Sequence, residues 1–276
     1  MTQVRKGSVI DWVDGVYQPA YSAILASGDL GLSVGLGLFD SLCGYAGRPF
    51  DFEKHYKRLA HDASRCEFEV PERVELEQVL IELMKCNGFT EGRCRLRVSI
   101  YSRGNGGQSV VVSATDLPQR GEYSSVILSP YKVNEHSPLT GVKSTSYAAN
   151  YLALKEAQAE GADEAILLNT SGFLCEGATS NIFLVSDGEI YTPSLSSGCL
   201  PGVTRDTVLE IAEEIGVVSH VVPLTVEELE QCDEAFLTSS LREVQPIVEI
   251  NGREMGTVNG EVVQRLREVY QKKAWH

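Results

Sequence analysis

Gly141–Ala157 reads GVKSTSYAANYLALKEA, Phe173–Val185 reads FLCEGATSNIFLV, and Ser196–Gly216 reads SSGCLPGVTRDTVLEIAEEIG. In the first stretch, Lys143 stands just before a helix that reads as well buried, among small and apolar residues. Such a lysine is either a surface residue that snorkels its ammonium to water or an amine of lowered pKa that can form a Schiff base. In the second stretch, Glu176 precedes a run of small residues and then a hydrophobic strand. In the third, a glycine-containing loop runs into a helix at about Val203. A helix start offers N–H groups without intrahelical acceptors, at the positive end of the dipole, and so suits a phosphate. Each piece has a plain alternative: Glu176 as a loop residue, and GVTRD as an ordinary helix start with Thr204 as its cap. The three in this order are hard to ascribe to chance.

Outward from these stretches the chain reads as mixed strands and helices. Short apolar runs around Ser8 to Trp12 come first, followed by a glycine-studded segment from Gly31 to Phe50. A helix after Asp51 is predicted from Tyr56, Leu59, Ala60 and Ala63 at helical spacing, and a second from Val74 to Lys85. Strands are expected at Cys94–Tyr101 and Ser109–Ala114, joined by SRGNGG, which reads as a hairpin turn before it reads as an anion cradle. Beyond the proline-containing patch TDLPQRGE, a strand near Val126–Tyr131 precedes a helix from about Ser146 to Glu160. Strands follow at Glu164–Leu168 and Asn181–Val185. One later helix carries Val208, Ile211, Ala212 and Ile215 on a face, and the terminal helix carries Val263, Leu266 and Tyr270. Thr225 and Glu228 form a capping-box pattern. Without regular β-α alternation, the expectation is an α+β (mixed) fold in two domains. We place a smaller N-terminal α/β domain at residues 1–116, a linker at 117–123, and a larger C-terminal domain carrying Lys143 at 124–276.

Composition narrows the function further. A chain of 276 residues with 43% hydrophobic and 22% charged residues matches an ordinary soluble globular protein that needs no disulfide or metal staple. The formal net charge of -14 argues against a nucleic-acid partner, which requires a basic surface. No run approaches the roughly 20 apolar residues that span a bilayer, and the first residues lack a secretory signal, so a cytoplasmic location is expected. Seven cysteines without a C-x-x-C pair suit reduced thiols, and the dispersed histidines offer no zinc motif, so no metal is expected. Asn169-Thr170-Ser171 matches a glycosylation acceptor, read as coincidence on the same grounds. Gly35 and Gly37 begin a dinucleotide fingerprint that Asp40 leaves incomplete. Neither a P-loop nor a G-x-S-x-G elbow occurs.

The chain resembles the class IV aminotransferases, a family that includes branched-chain and D-amino acid aminotransferases and 4-amino-4-deoxychorismate lyases. The resemblance runs from GLGLFDSL to the terminal helix, and KHYKRL, GVKSTSY, LCEGATSNIF, GCLPGVTRD and LTSSLREVQP carry it. It implies a fold-type IV, pyridoxal 5'-phosphate-dependent enzyme with its cofactor site between the domains, working as a homodimer. It further implies that Lys143 is the Schiff-base lysine and proton carrier, and that Glu176 pairs with the pyridine nitrogen. Arg58, Val203, Thr204 and Ser240 take the place of the phosphate cup. Tyr147 resembles the tyrosine near the phenolic oxygen, one residue closer to the lysine than in the branched-chain enzymes. Arg95, Arg97 or Arg242 clamps a substrate carboxylate, unless each is a structural or surface arginine. The implied reaction is amino transfer between an α-amino acid and an α-keto acid, and TSSLREVQP is nearer to the D-amino acid aminotransferase pattern. SPLTGVKSTSY and GADEAILLN equally resemble the lyases, which release pyruvate from aminodeoxychorismate to give 4-aminobenzoate.

Overall fold

The computed structural model describes residues 9–22, 25–256 and 260–276, so Ser8, where the first apolar run begins, lies outside the described residues. The chain forms two units. The first comprises Met1–Pro118 with Lys143–Ser146, and the second Gln119–Val142 with Tyr147–His276.

In the first unit, β1 (Ile10–Val13) and β2 (Val16–Pro19) form a hairpin, followed by a single helical turn, α1 (Leu30–Ser33). Then come β3 (Gly37–Tyr45), β4 (Arg48–Pro49), α2 (Phe52–Arg65), α3 (Arg73–Cys86), β5 (Arg93–Ser102) and β6 (Gln108–Thr115). The described strands pair in the order β2-β1-β6-β5-β3-β4, antiparallel throughout. SRGNGG makes the β5–β6 turn, where Arg103 N–H donates to Gly107 O at 2.8 Å. Alternation along β5 sends Leu96, Val98 and Ile100 to one face. Leu38 and Leu42 lie opposite Ile100 and Leu96 in the register, and Asp40 lies opposite Val98. A carboxylate thus stands in the middle of an apolar sheet face.

The reading of α2 needs correction. Its buried stripe is Phe52, His55, Leu59, Asp62 and Ala63, whereas Tyr56 and Ala60 are only partly buried. Two polar residues on the inner face shifted the apparent apolar stripe by part of a turn. The strand β3 was also not foreseen, because its glycines interrupt the alternation. One of them is required where it stands. A Cβ at Gly37 would meet Ile100 O at 2.6 Å and Thr145 Oγ1 at 2.8 Å, so only glycine lets residues 143–146 lie this close to β3.

That close approach also explains why Lys143 belongs to the first unit and not, as expected, to the larger C-terminal one. Phe39 N–H donates to Lys143 O and Thr145 N–H to Gly37 O, both at 2.9 Å, bracketing a Leu38–Ser144 bridge. β4 pairs only with Gly44 and Tyr45, so the start of β3 has an open edge, which Lys143–Thr145 occupy.

The second unit contains β7 (Ser124–Val133), α4 (Ala148–Ala159), β8 (Glu164–Asn169), β9 (Leu174–Gly177), β10 (Asn181–Ser186), β11 (Glu189–Pro193), α5 (Val203–Glu214) and β12 (Ser219–Val222). It ends with α6 (Val226–Gln231), β13 (Glu234–Ser239), β14 (Glu243–Ile250), β15 (Arg253–Glu254) and α7 (Glu261–Trp275). The sheet order is β12-β11-β10-β13-β14-β7-β8-β9, with β15 beside β14. Successive residues of β7 and β8 supply different cores. Val126 and Ile166 join Leu184, Leu237 and Ile247, while Ile127, Ala165 and Leu167 meet Ala153 and Ala157 of α4. The helix α4 buries only Ala153 and Ala157 and exposes Tyr151 and Leu152, so it is not the well-buried helix expected after Lys143. At α6 the capping box is present: Thr225 Oγ1 accepts from Glu228 N–H, and Glu228 Oε2 accepts from Thr225 N–H.

Candidate active site

The polar face of α2 builds the first unit's share of the candidate residues. His55, Arg58 and Asp62 are spaced i, i+3 and i+7, which brings them onto one side of the helix. Opposite them stands Asp40. Arg58 Nε donates to Asp40 Oδ2 at 2.9 Å and Arg58 Nη2 to Asp40 Oδ1 at 2.8 Å, a bidentate fork that fixes the guanidinium plane. His55 Nδ1 lies 2.7 Å from Asp40 Oδ1 in equally buried surroundings. An ionised carboxylate only accepts, so the proton of that bond sits on Nδ1. Burial alone would raise the Asp40 pKa. The charges of Arg58 and His55, with their hydrogen bonds, outweigh it and hold the carboxyl well below its usual range.

The sign of that shift yields a stability prediction. A carboxylate whose pKa is depressed on folding contributes stability above its unfolded pKa of about 3.9, and the contribution fades as pH falls through the folded value. Asp40→Asn leaves the buried Arg58 without its charge partner and should cost about 3–5 kcal/mol near pH 7. The penalty should shrink as pH falls below about 4, where the unfolded chain takes up a proton that the folded carboxylate, held by Arg58 and His55, does not. Urea titrations of both proteins across this range check it, and equal stability at neutral pH would contradict it.

Lys143 emerges from the paired segment at the edge of β3. Its N–H donates to Asp62 Oδ2 at 2.9 Å, and Thr145 Oγ1 and Ser146 Oγ donate to Gly35 O at 2.8 and 3.0 Å. The ammonium lies 4.6 Å from the centre of the Phe39 ring, and the Arg97 guanidinium lies 3.9 Å from the same centre. Arg97 Nε donates to Ser99 Oγ at 3.0 Å. Arg95 shares the same strand face two residues earlier, with a buried Nε that meets no acceptor among the described residues. Burial depresses the pKa of Arg95; burial, then the like charge of Arg95, depresses that of Arg97. Both stay charged, because a guanidinium starts so high.

In the second unit, β9 presents Glu176, and one of its oxygens accepts from Leu200 N–H at 2.9 Å. Asn181 Nδ2 donates to Leu200 O at 3.0 Å, so the loop before α5 is tied to both ends of the turn between β9 and β10. Tyr147 Oη and Asn150 Nδ2 both donate to Ala178 O in that turn, at 2.8 and 3.1 Å. Two expected site residues, Tyr147 and Glu176, thus bond into the β9–β10 region, to which the loop leading to Val203 is also tied. Thr204 does not cap α5. Gly202 is the N-cap and supplies no side-chain acceptor, although Val203 and Thr204 are buried. A helix start without a side-chain cap leaves amides that can accept an external anion. Ser240 lies in the turn between β13 and β14. Burial drives the pKa of nearby Cys175 far up and that of Cys199 up to about 11, which disfavours the thiolate.

Arg242 is placed differently from Arg97. Its guanidinium is buried and donates to Glu164 Oε2 at 2.8 Å, Gln245 Oε1 at 2.6 Å and Ser124 Oγ at 3.1 Å. Glu164 Oε2 in turn accepts from Thr179 Oγ1. These surroundings favour the structural of its two readings: the fork is committed to a buried network that braces the turn after Glu176. Sequence reasoning overlooked Asp40, Asp62 and Asn181. A signal for the first two was present, since Asp40 interrupts the apolar run Leu38–Leu42 and Asp62 falls three residues after Leu59 on the helix face.

The first unit thus offers a primary amine, Lys143, and a paired guanidinium, Arg58; the second offers the Glu176 carboxylate and a helix start without a side-chain cap. Comparison with known proteins identifies the family. The pattern of the family described as amino-transferase class IV matches residues 37–250. The branched-chain-amino-acid aminotransferase of Pseudomonas aeruginosa is 31% identical over 87% of this chain and 84% of its own. The aminodeoxychorismate lyase of Bacillus subtilis is 30% identical over 95% and 94%. The crystal structure of the branched-chain aminotransferase of Thermoproteus uzoniensis with norvaline superposes with a TM-score of 0.90 at 31% identity, covering 96% of this chain and 94% of that one.

Proposed function

The chain belongs to the class IV aminotransferase family, and from that premise we propose that it moves an amino group between an α-amino acid and an α-keto acid, with pyridoxal 5'-phosphate as cofactor and as a homodimer. The observation that carries this reading is the seat of Lys143: a primary amine on a backbone segment bonded to β3 and α2, set against the ring of Phe39 beside Arg97. The cofactor supplies an aldehyde that condenses with amines and a ring that draws electrons from the substrate Cα.

The chain's own residues do the rest. Lys143 would hold the cofactor through its amine, and the same Nζ would serve as the group that takes up and gives back the proton of the substrate Cα. Glu176 keeps the ring nitrogen protonated, since an opposite charge in contact favours the charged form. Arg58, the amides of Val203 and Thr204, and the Ser240 hydroxyl bind the phosphate. Asp40 holds Arg58 in plane for that task. Tyr147, whose hydroxyl donates to Ala178 O, is assigned a place near the phenolic oxygen. Arg97 is the better candidate for a substrate carboxylate, with Arg95 beside it, because Arg242 is committed elsewhere.

The lyase reading is supported by the SPLTGVKSTSY and GADEAILLN stretches and by the relative from Bacillus subtilis, which matches nearly the whole chain. A single panel separates the two. Purified holoenzyme is given L- and D-amino acids with 2-oxo acids, and separately aminodeoxychorismate. The proposal expects amination of at least one 2-oxo acid to outpace pyruvate release. Pyruvate release without amination assigns the chain to the lyases.

A further inference from the structure

Asp62 is almost fully buried, at 1% exposure, yet its carboxylate is only half satisfied. Oδ2 accepts the Lys143 N–H at 2.9 Å, while Oδ1 is buried with no hydrogen-bond partner among the described residues. A buried carboxylate oxygen without a donor is costly, and a residue kept only for packing would not carry that cost. Its partner is equally unusual. Lys143 gives its carbonyl to Phe39 N–H, as a strand residue would, but turns its own N–H to α2. The same helix face carries Arg58 four residues earlier, so one rigid element bears both the arginine assigned to the phosphate and the group that holds the lysine's backbone.

We propose that Asp62 is the positioning residue of Lys143: its bond to the Lys143 amide sets the direction in which the amine leaves the backbone. The proposal rests on the reading that Lys143 carries the cofactor. A catalytic group must be held to within a fraction of an ångström of its productive place, and supporting contacts from rigid elements supply that precision. Without the bond, residues 144–146 stay pinned to Gly35 and Gly37, but the amide of Lys143 loses its anchor. The amine then samples more directions, and the covalent link to the cofactor weakens. Binding of the phosphate and ring is untouched.

The test compares two ligands on the full-length protein: pyridoxal phosphate, and 4'-deoxypyridoxine phosphate, which keeps phosphate and ring but has no aldehyde. The ratio of their affinities isolates the link to Lys143. In Asp62→Ala the ratio should fall about tenfold, the worth of one strong hydrogen bond, while the deoxy compound binds within about twofold of wild type. Asp62→Asn, which still offers an oxygen to the amide, should restore the ratio. A wild-type ratio in Asp62→Ala overturns the proposal, as does an equal loss of both affinities, the mark of a merely structural role. A wild-type protein that binds both ligands equally overturns the Lys143 reading itself, and this proposal with it. A measurement on the wild-type holoenzyme stands independent of any variant's folding: the Lys143 amide should be protected from hydrogen exchange, and exchange at the rate of an unstructured peptide would refute the contact.

Discussion

In Lys143→Ala, turnover is expected to fall by at least about a thousandfold, within the range attributed to a general acid–base residue, and the covalent hold on the cofactor should vanish. The effect should be large because nothing else described in that cluster can replace the amine. Arg97, which shares the Phe39 ring, keeps its proton at any working pH. The fold should survive, since the hydrogen bonds that tie residues 143–146 to Gly35, β3 and α2 run through the backbone and through Thr145 and Ser146. Thermal unfolding of the apoprotein verifies that point, and steady-state kinetics verifies the first. A well-folded variant retaining a tenth of wild-type turnover would remove Lys143 from the reaction.

Glu176→Gln should be nearly as damaging, for a different reason. Glutamine offers an oxygen to the Leu200 N–H, so the loop before α5 keeps its tie. What is lost is the negative charge. A contacting opposite charge is worth about 1–3 pKa units, so the ring nitrogen loses its proton more readily and proton removal from Cα should slow by about tenfold to a thousandfold. Cofactor content should stay full, because Lys143 and the phosphate ligands are unchanged. Single-turnover kinetics with an amino donor isolates this step, and if the chain is the lyase the loss appears in pyruvate release instead. A variant with full cofactor and wild-type rates would show that Glu176 serves only to hold Leu200.

The comparison of sequence with structure follows a physical pattern. Features that depend on neighbours in the chain were legible: the β5–β6 hairpin, the capping box of Thr225 and Glu228, and the start of α5 at Val203. Features that depend on partners far along the chain were not. Nothing near Arg242 announces that its guanidinium is taken by Glu164, 78 residues away. Likewise, residues 143–146 join the first unit because Asp62, 81 residues before Lys143, accepts the Lys143 N–H and the still more distant Gly37 accepts that of Thr145. The buried stripe of α2 was misplaced for a related reason. Helical periodicity is read from apolar residues, and this stripe includes a histidine and an aspartate whose burial only their tertiary partners make tolerable. Asp62, a buried polar residue, marks both misreadings and holds Lys143, as Asp40 holds Arg58.

The central claim is that Lys143 carries the cofactor, and one chemical measurement bears on it directly. Wild-type protein loaded with pyridoxal phosphate is reduced with borohydride, digested, and mapped by mass spectrometry. The account predicts one modified peptide, with the reduced cofactor on the lysine of Gly141–Val142–Lys143. A cofactor fixed to any other lysine, or no reducible link at all, would contradict it.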